Sequence, residues 1–261
     1  EIAIGDNMPM LTPTATHKDV TLNASNIFRA CYTDPYQGST AAVFAMENLG
    51  AKKAAVLYNI EDPYSEGLAI AFRDKFSSAG TVTNYEGYTA KDADFRAVLT
   101  KIAAQDPEVI FLPDYIAKIG VILSQIRELG LDMIPISGDG SDGIEGDYAD
   151  VAEGMYYANH YSKSDESKLV QNFISNYDKE YGVQPNALAA LGYDATFIML
   201  QAIDRAGSFD PDKIIAELSK TDEDYVKGHI TFDKNGEPLK SISVIKVSGG
   251  KQVLVDKVLS D

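Results

Sequence analysis

The sequence predicts an α/β protein built around a parallel sheet, and three observations carry that expectation. Residues 52–140 alternate short apolar runs with stretches of helical period, residues 166–220 read as consecutive helices, and the tail after residue 227 returns to strand signals separated by turns. A strand-helix-strand succession of this kind joins parallel strands through right-handed crossovers. At 261 residues, 45% of them hydrophobic and 24% charged, the chain can bury a sizeable core in one large domain or two modest ones.

Taken in order, the first element is an apolar run from Met8 to Leu11 that breaks at Pro13 and leaves Thr12, Thr14 and Thr16 at its end. "KKAAVLYNI" (52–60) is a strand, and "YSEGLAIAFRDKFSSAG" (64–80) a helix with a glycine stop. "TVTNYEGYT" (81–89) is strand-like, and "DADFRAVLTKIAAQ" (92–105) spaces Phe95, Val98, Leu99, Ile102 and Ala103 helically behind an Asp N-cap. A strand at 107–115, a helix at 117–130 and a strand at 131–140 follow. Leu169, Phe173, Tyr177 and Tyr181 lie four apart, the spacing of a core stripe, and the nearly all-apolar helix at 187–207 should be buried on most of its circumference. "FDPDKIIAELSK" (209–220) opens with Asp210 as N-cap and Pro211 at the first helical position. Strands at "KGHITFD", "SISVIKV" and "KQVLVDKV" close the chain.

Composition excludes several functions. With 39 acidic and 23 basic residues the formal charge is −16, which repels a phosphate backbone or an anionic bilayer, so no nucleic-acid partner is expected. One cysteine, Cys31, excludes an internal disulfide and a cysteine zinc cluster. His17, His160 and His229 show no HxxH or HExxH spacing, so no metal is expected, and each reads as a surface or capping residue. No apolar stretch reaches the ~20 residues that cross a bilayer, and "EIAIGD" reads as the start of a processed or trimmed product.

In open parallel sheets, ligands gather beyond the carboxyl ends of the strands. There the predicted strands present Tyr58 and Asn59 with Tyr64 beyond them, Asp114 with Tyr115, "GDG" carrying Asp139, and the Thr12 to Thr16 hydroxyls. Each has an ordinary alternative: the threonines as turn caps, the tyrosines as packing residues, Asp139 as turn chemistry. "GDGSDG" (138–143) matches GxGxxG by letter, but its aspartates would repel a pyrophosphate and no amphipathic helix follows. The same stretch lacks the early alternate acids of a calcium loop. "DEDY" (222–225) reads as a solvated charge run. No nucleophile elbow or phosphate loop is present, so neither catalytic residues nor a cofactor are expected.

Together, "PMLTPTATHKD", "NIFRACYTDPYQG", "AAVLYNIEDPYSEGLAIAF", "DADFRAVLTKI", "PEVIFLPDY", "ISGDG", "ALAALGYDA" and "GHITFDKNGEP" resemble the extracytoplasmic solute-binding proteins of branched-chain amino acid ABC transporters, in the family's order from Met8 to Val255. The resemblance implies the two-lobe type I periplasmic-binding fold, with three crossovers and the ligand between lobes. Lobe 1 would hold 1–32 plus 162–234, and lobe 2 would hold 33–161 plus 235–261. It implies ligand contacts from Thr14, Ala15 and Thr16, an ammonium partner in Asp139, closing aromatics in Tyr64 and Tyr115, and a side-chain contact near Leu188. The implied partners are a small amino-acid-like ligand and an ABC permease, in the periplasm or lipid-anchored on the outer face of the cell membrane. The family's opening β-α units have no counterpart before "TPTAT", so lobe 1 is expected to be incomplete, a missing N-terminal segment being removed or supplied separately, or lobe 1 rebuilt. Rival readings are a ligand-sensing receptor ectodomain, a nucleotide-dependent enzyme and a truncated chain without binding activity.

Overall fold

The computed structural model describes residues 1–258. The chain divides into two compact units, Glu1–Thr33 with Asp165–Ser241, and Asp34–Ser164 with the segment from Ile242 onward.

The first unit opens with α1 (Ile2–Gly5), β1 (Met10–Thr12) and β2 (Ile27–Arg29), the two strands parallel with Met10 opposite Ile27. The second unit then runs α2 (Asp34–Glu47), β3 (Lys53–Asn59), α3 (Pro63–Phe76), β4 (Thr81–Tyr88), α4 (Arg96–Ala103), β5 (Val109–Phe111), α5 (Ile116–Glu128) and β6 (Ile134–Ser137). The single turns α6 (Ile144–Asp147) and α7 (Ala149–Ala152) precede β7 (Tyr156–Asn159). Back in the first unit lie α8 (Lys168–Tyr181), α9 (Ala187–Ala206), α10 (Pro211–Leu218) and the antiparallel strands β8 (Asp222–Tyr225), β9 (Gly228–Phe232) and β10 (Pro238–Leu239). Because β10 folds back along β9, residues 235–241 lie in the first unit. Strands β11 (Ile242–Ser248) and β12 (Lys251–Val258) complete the second.

The second unit is a seven-stranded sheet of order β12-β11-β7-β6-β5-β3-β4, parallel from β7 to β4 and antiparallel at β11 and β12. Strands β3 and β5 read as continuous apolar runs because both faces are covered. Leu57, Leu99, Ile122 and Tyr157 belong to one buried cluster, and Val56, Leu68, Phe72 and Phe111 to the other. At the edge, β12 alternates exposed and half-buried residues.

Three local expectations are corrected. Helix α4 begins at Arg96 rather than 92: Asp92 accepts from the Thr89 N–H, and the Phe95 N–H is taken by Gln125 Oε1, so the chain turns before it coils. The acids of "DEDY" are exposed, as expected of a solvated charge run, and they stand on strand β8, whose backbone pairs with β9. The α8 stripe does not form a core: Val170 and Phe173 are buried, while Leu169 and Tyr181 are exposed. Likewise α9 buries only one side, with Ile198 and Ala202 against Phe28, Ile214, Leu218 and Ile230. Leu188, Tyr193, Phe197 and Leu200 on α9 are 43–57% exposed. An apolar helix surface signals burial only where polypeptide lies on it, and the sequence of the helix does not reveal that.

Candidate functional site

The carboxyl ends of β3, β5 and β6 bring three predicted residues together in the second unit. Asp62 caps α3 by accepting from the Tyr64 N–H (3.0 Å) and Pro63 fills its first turn, which sets Tyr64 at the strand end. The Tyr64 hydroxyl donates to Asp139 Oδ1 (2.8 Å) and accepts from the Gly140 N–H (2.9 Å). Tyr115, at the start of α5, stacks on Tyr64 with centroids 5.1 Å apart and 24° between planes. Its backbone N–H bonds Asp114 Oδ1, and that buried carboxylate also accepts from the Tyr88 hydroxyl.

Asp139 is fixed by four hydrogen bonds from three residues, one of them the bond from Tyr64. Gln37 of α2 accepts from its N–H (2.7 Å) and donates to its Oδ1 (3.0 Å), a two-point grip on backbone and side chain. His160, just past β7, sets Nε2 at 2.8 Å from Oδ2. Burial alone would push the Asp139 carboxyl up. The bond and charge of His160, with the bonds from Tyr64 and Gln37, instead hold it below its ordinary 3.8. The carboxylate therefore stays ionised although it is half-buried. Tyr115 is pushed up to about 12, first by burial and then by carboxylates that include Asp62 and Asp139, so it remains a neutral phenol.

The glycines around Asp139 follow from this packing. A Cβ at Gly138 would lie 2.3 Å from Gln37 Oε1 and 2.7 Å from the Tyr64 hydroxyl, and one at Gly140 would lie 2.7 Å from the Asp114 carbonyl. "GDG" is thus an acid seated between two places where side chains approach the backbone.

In the first unit, Thr12 ends β1 and its Oγ1 accepts from the Ala15 N–H (3.1 Å), a turn that carries the chain through Thr14 to Thr16. Thr14 and Ala15 are exposed and Thr16 is buried; neither threonine hydroxyl has a hydrogen-bond partner among the described residues. The Ala15 carbonyl accepts from Arg29 and from Cys31 Sγ. Both backbone polar groups of Ala15 are therefore engaged within the unit. Leu188 sits in the first turn of α9 behind the Asn186 cap and is 57% exposed.

Two residues of the second-unit cluster were missed by the sequence reading. His160 is 1% exposed rather than a surface histidine, and Gln37 is fully buried inside a helix. Neither has a local motif, because their role comes from a contact 21 and 102 residues away respectively. Of the other histidines, His17 does cap, accepting from the Asp19 N–H (3.3 Å), and His229 lies exposed between Asp222 and Asp224. Among the described residues no group of His, Cys, Asp and Glu could hold a metal ion, and no helix is long and apolar enough to cross a membrane.

The arrangement can hold a small cationic group against a half-buried carboxylate beside stacked aromatic rings. The chain is 28% identical over 254 residues to a Leu/Ile/Val-binding protein homolog of Brucella melitensis, covering 94% of this chain and 67% of that protein. It spans about two thirds of the length of that curated relative. Its fold matches the leucine-binding protein LivK of Thermotoga maritima with a TM-score of 0.91 at 36% identity, over 98% of this chain and 75% of that one. It also matches the branched-chain amino acid transporter substrate-binding protein LivJ of Streptococcus pneumoniae, solved with isoleucine, with a TM-score of 0.89 at 28% identity, over 98% and 74%. The architecture is the type I periplasmic-binding fold, and these homologues are solute-binding proteins that work outside the cytoplasm. The family model for "Periplasmic binding protein" matches residues 1–252, and the chain belongs to that family.

Proposed function

We propose that the protein is a non-catalytic receptor that captures a small amino acid or close analogue outside the cytoplasm and delivers it to an ABC permease. The observation that carries the reading is the Asp139 carboxylate, held ionised by Gln37, Tyr64 and His160 beside the Tyr64–Tyr115 stack. A half-buried carboxylate with fixed geometry favours a cation, and an α-ammonium supplies one together with N–H donors. Tyr64 and Tyr115 give a flat wall that excludes water. In the first unit, Thr14, Ala15 and Thr16 are the proposed polar contacts and Leu188 a side-chain contact. Since Ala15 is already bonded on both its N–H and its carbonyl, Thr16 carries most of that share.

Two or three charge-assisted bonds of ~1.5–3 kcal/mol each, with apolar burial, reach the ~8 kcal/mol of micromolar binding. The Leu/Ile/Val names of the relatives and the isoleucine held by LivJ support an aliphatic amino acid. Titration calorimetry of the complete protein against a panel of L-amino acids tests this. Micromolar or tighter binding of an aliphatic member is expected; no binding by any member would overturn the reading.

We also infer that an N-terminal segment beyond these residues completes the first lobe, and that the mature protein resides in the periplasm or is lipid-anchored on the outer face of the cell membrane. Support comes from the exposed apolar side of α9, from β1, which pairs only with β2 among the described residues, and from the greater length of the relatives. Leucine titrations of residues 1–261 alone and of the longer protein test the segment. Equal affinity would contradict it.

A further inference from the structure

Arg29 is the last residue of β2 and is 0% exposed. Arginine is almost never fully buried unless it is paired. Here its Nη1 donates to the Ala15 carbonyl, its Nη2 donates to the His17 carbonyl (2.9 Å), and its Nε faces Glu237 Oε2 at 2.8 Å as an ion pair without hydrogen-bond geometry. Glu237 is held in turn: its Oε1 accepts from the Thr21 hydroxyl, and its N–H donates to Asp233 Oδ1 (2.9 Å). The Arg29 N–H bonds the Gly236 carbonyl at 3.0 Å. Gly236 has φ +75°, and a Cβ there would lie 2.6 Å from the Ile27 carbonyl oxygen, so the 233–237 turn sits directly on β2.

The two carbonyls that Arg29 grips belong to the residues on either side of Thr16. The described peptides are trans, so the Thr16 N–H points opposite to the Ala15 carbonyl and hence away from the guanidinium. With the Ala15 N–H closed off by Thr12, the fork of Arg29 orients the peptide group that Thr16 has left to offer. A planar fork with two diverging donors can hold both carbonyls while Nε keeps an acid, which a lysine ammonium on a flexible stem cannot reproduce.

We propose that Arg29, anchored by Glu237, is the positioning residue that sets the ligand-binding orientation of Thr16. The proposal rests on the amino-acid-receptor reading given above. It is tested in the complete protein with L-leucine as probe, using Arg29→Lys, Glu237→Gln and, as a reference in the other unit, Asp139→Asn. Affinity is measured by calorimetry, and the Thr16 amide resonance and its hydrogen exchange are followed without ligand. The expected result is at least a tenfold weakening for Arg29→Lys and a smaller one for Glu237→Gln, with a shifted and faster-exchanging Thr16 amide. Melting temperature should order the variants differently from affinity, since a purely structural role would make the two losses parallel. If Arg29→Lys binds leucine within twofold of the parent, or leaves the Thr16 amide unmoved, the proposal fails while weakening by Asp139→Asn still upholds the receptor reading. If the parent binds no amino acid, the receptor reading fails and this proposal falls with it.

Discussion

Replacing Asp139 by asparagine separates charge from shape at the centre of the candidate site. The side-chain oxygen of asparagine can still accept from Gln37 Nε2 and the Tyr64 hydroxyl, which now lie 3.0 and 2.8 Å from Oδ1. The amide nitrogen would take the place of Oδ2, where the His160 ring can accept if its proton moves to the other nitrogen. Three charge-assisted bonds become neutral ones at a cost of roughly 1 kcal/mol each, partly offset by removing a half-buried charge, so the net loss of stability should stay within about 2 kcal/mol. Alanine would instead remove the bonds to the buried Gln37 and His160 and to the half-buried Tyr64, at ~1–3 kcal/mol for each buried group, and confound binding with folding. The ligand ammonium loses an ionised partner worth ~1.5–3 kcal/mol, or roughly 10- to 150-fold in affinity. Calorimetry with L-leucine, paired with a thermal melt, reads both. A folded Asp139→Asn protein that binds leucine within twofold of the parent would refute the reasoning.

Four further outcomes are expected. Gly138→Ala, whose Cβ would lie 2.3 Å from Gln37 Oε1, should displace Asp139 and weaken leucine binding at least tenfold; parent-like affinity would show that the loop gives way freely. Bonds from Asp224 and Asp222 raise the His229 pKa above its ordinary 6.5, so its stabilisation is full below that value and fades as pH rises through the folded pKa. The melting-temperature gap between parent and His229→Gln should accordingly be larger at pH 5.5 than at pH 8.5, and a gap independent of pH contradicts this. Lys227→Met strips the buried Asp194 of the ammonium 3.9 Å away and should cost about 3 kcal/mol or more in denaturant unfolding. Burial lowers the Lys227 pKa to about 8, so the unfolded chain keeps that proton longer, and the lysine's contribution should make stability rise between pH 8 and 10.5; a flat difference from Lys227→Met across that window would contradict the assignment.

The sheet was legible where local pattern and tertiary role coincide. The runs at 52–60 and 107–115 contain β3 and β5 because strands covered on both faces are apolar without interruption, and the Asp210–Pro211 start of α10 is chemistry internal to that helix. The rim residues Tyr64, Tyr115 and Asp139 could be picked out because strand ends are marked by sequence, and the structure brings them into one cluster. Gln37, His160 and Arg29 could not, since each acts through a long-range contact that leaves no periodicity or spacing behind. The outward faces of α8 and α9 were misread for the complementary reason: Tyr177, Tyr181, Tyr193 and Phe197 carry the apolar pattern of a core, yet the ring contacts of this ladder lie beside a groove at the surface.

The most direct measurement compares L-leucine with 4-methylpentanoate, the same skeleton without its ammonium, on the parent and on Asp139→Asn. The account predicts that the parent favours leucine by at least tenfold and that the preference shrinks toward unity in the variant. Equal affinity of the two compounds for the parent, or an undiminished preference in Asp139→Asn, would show that the ammonium is read elsewhere or not at all.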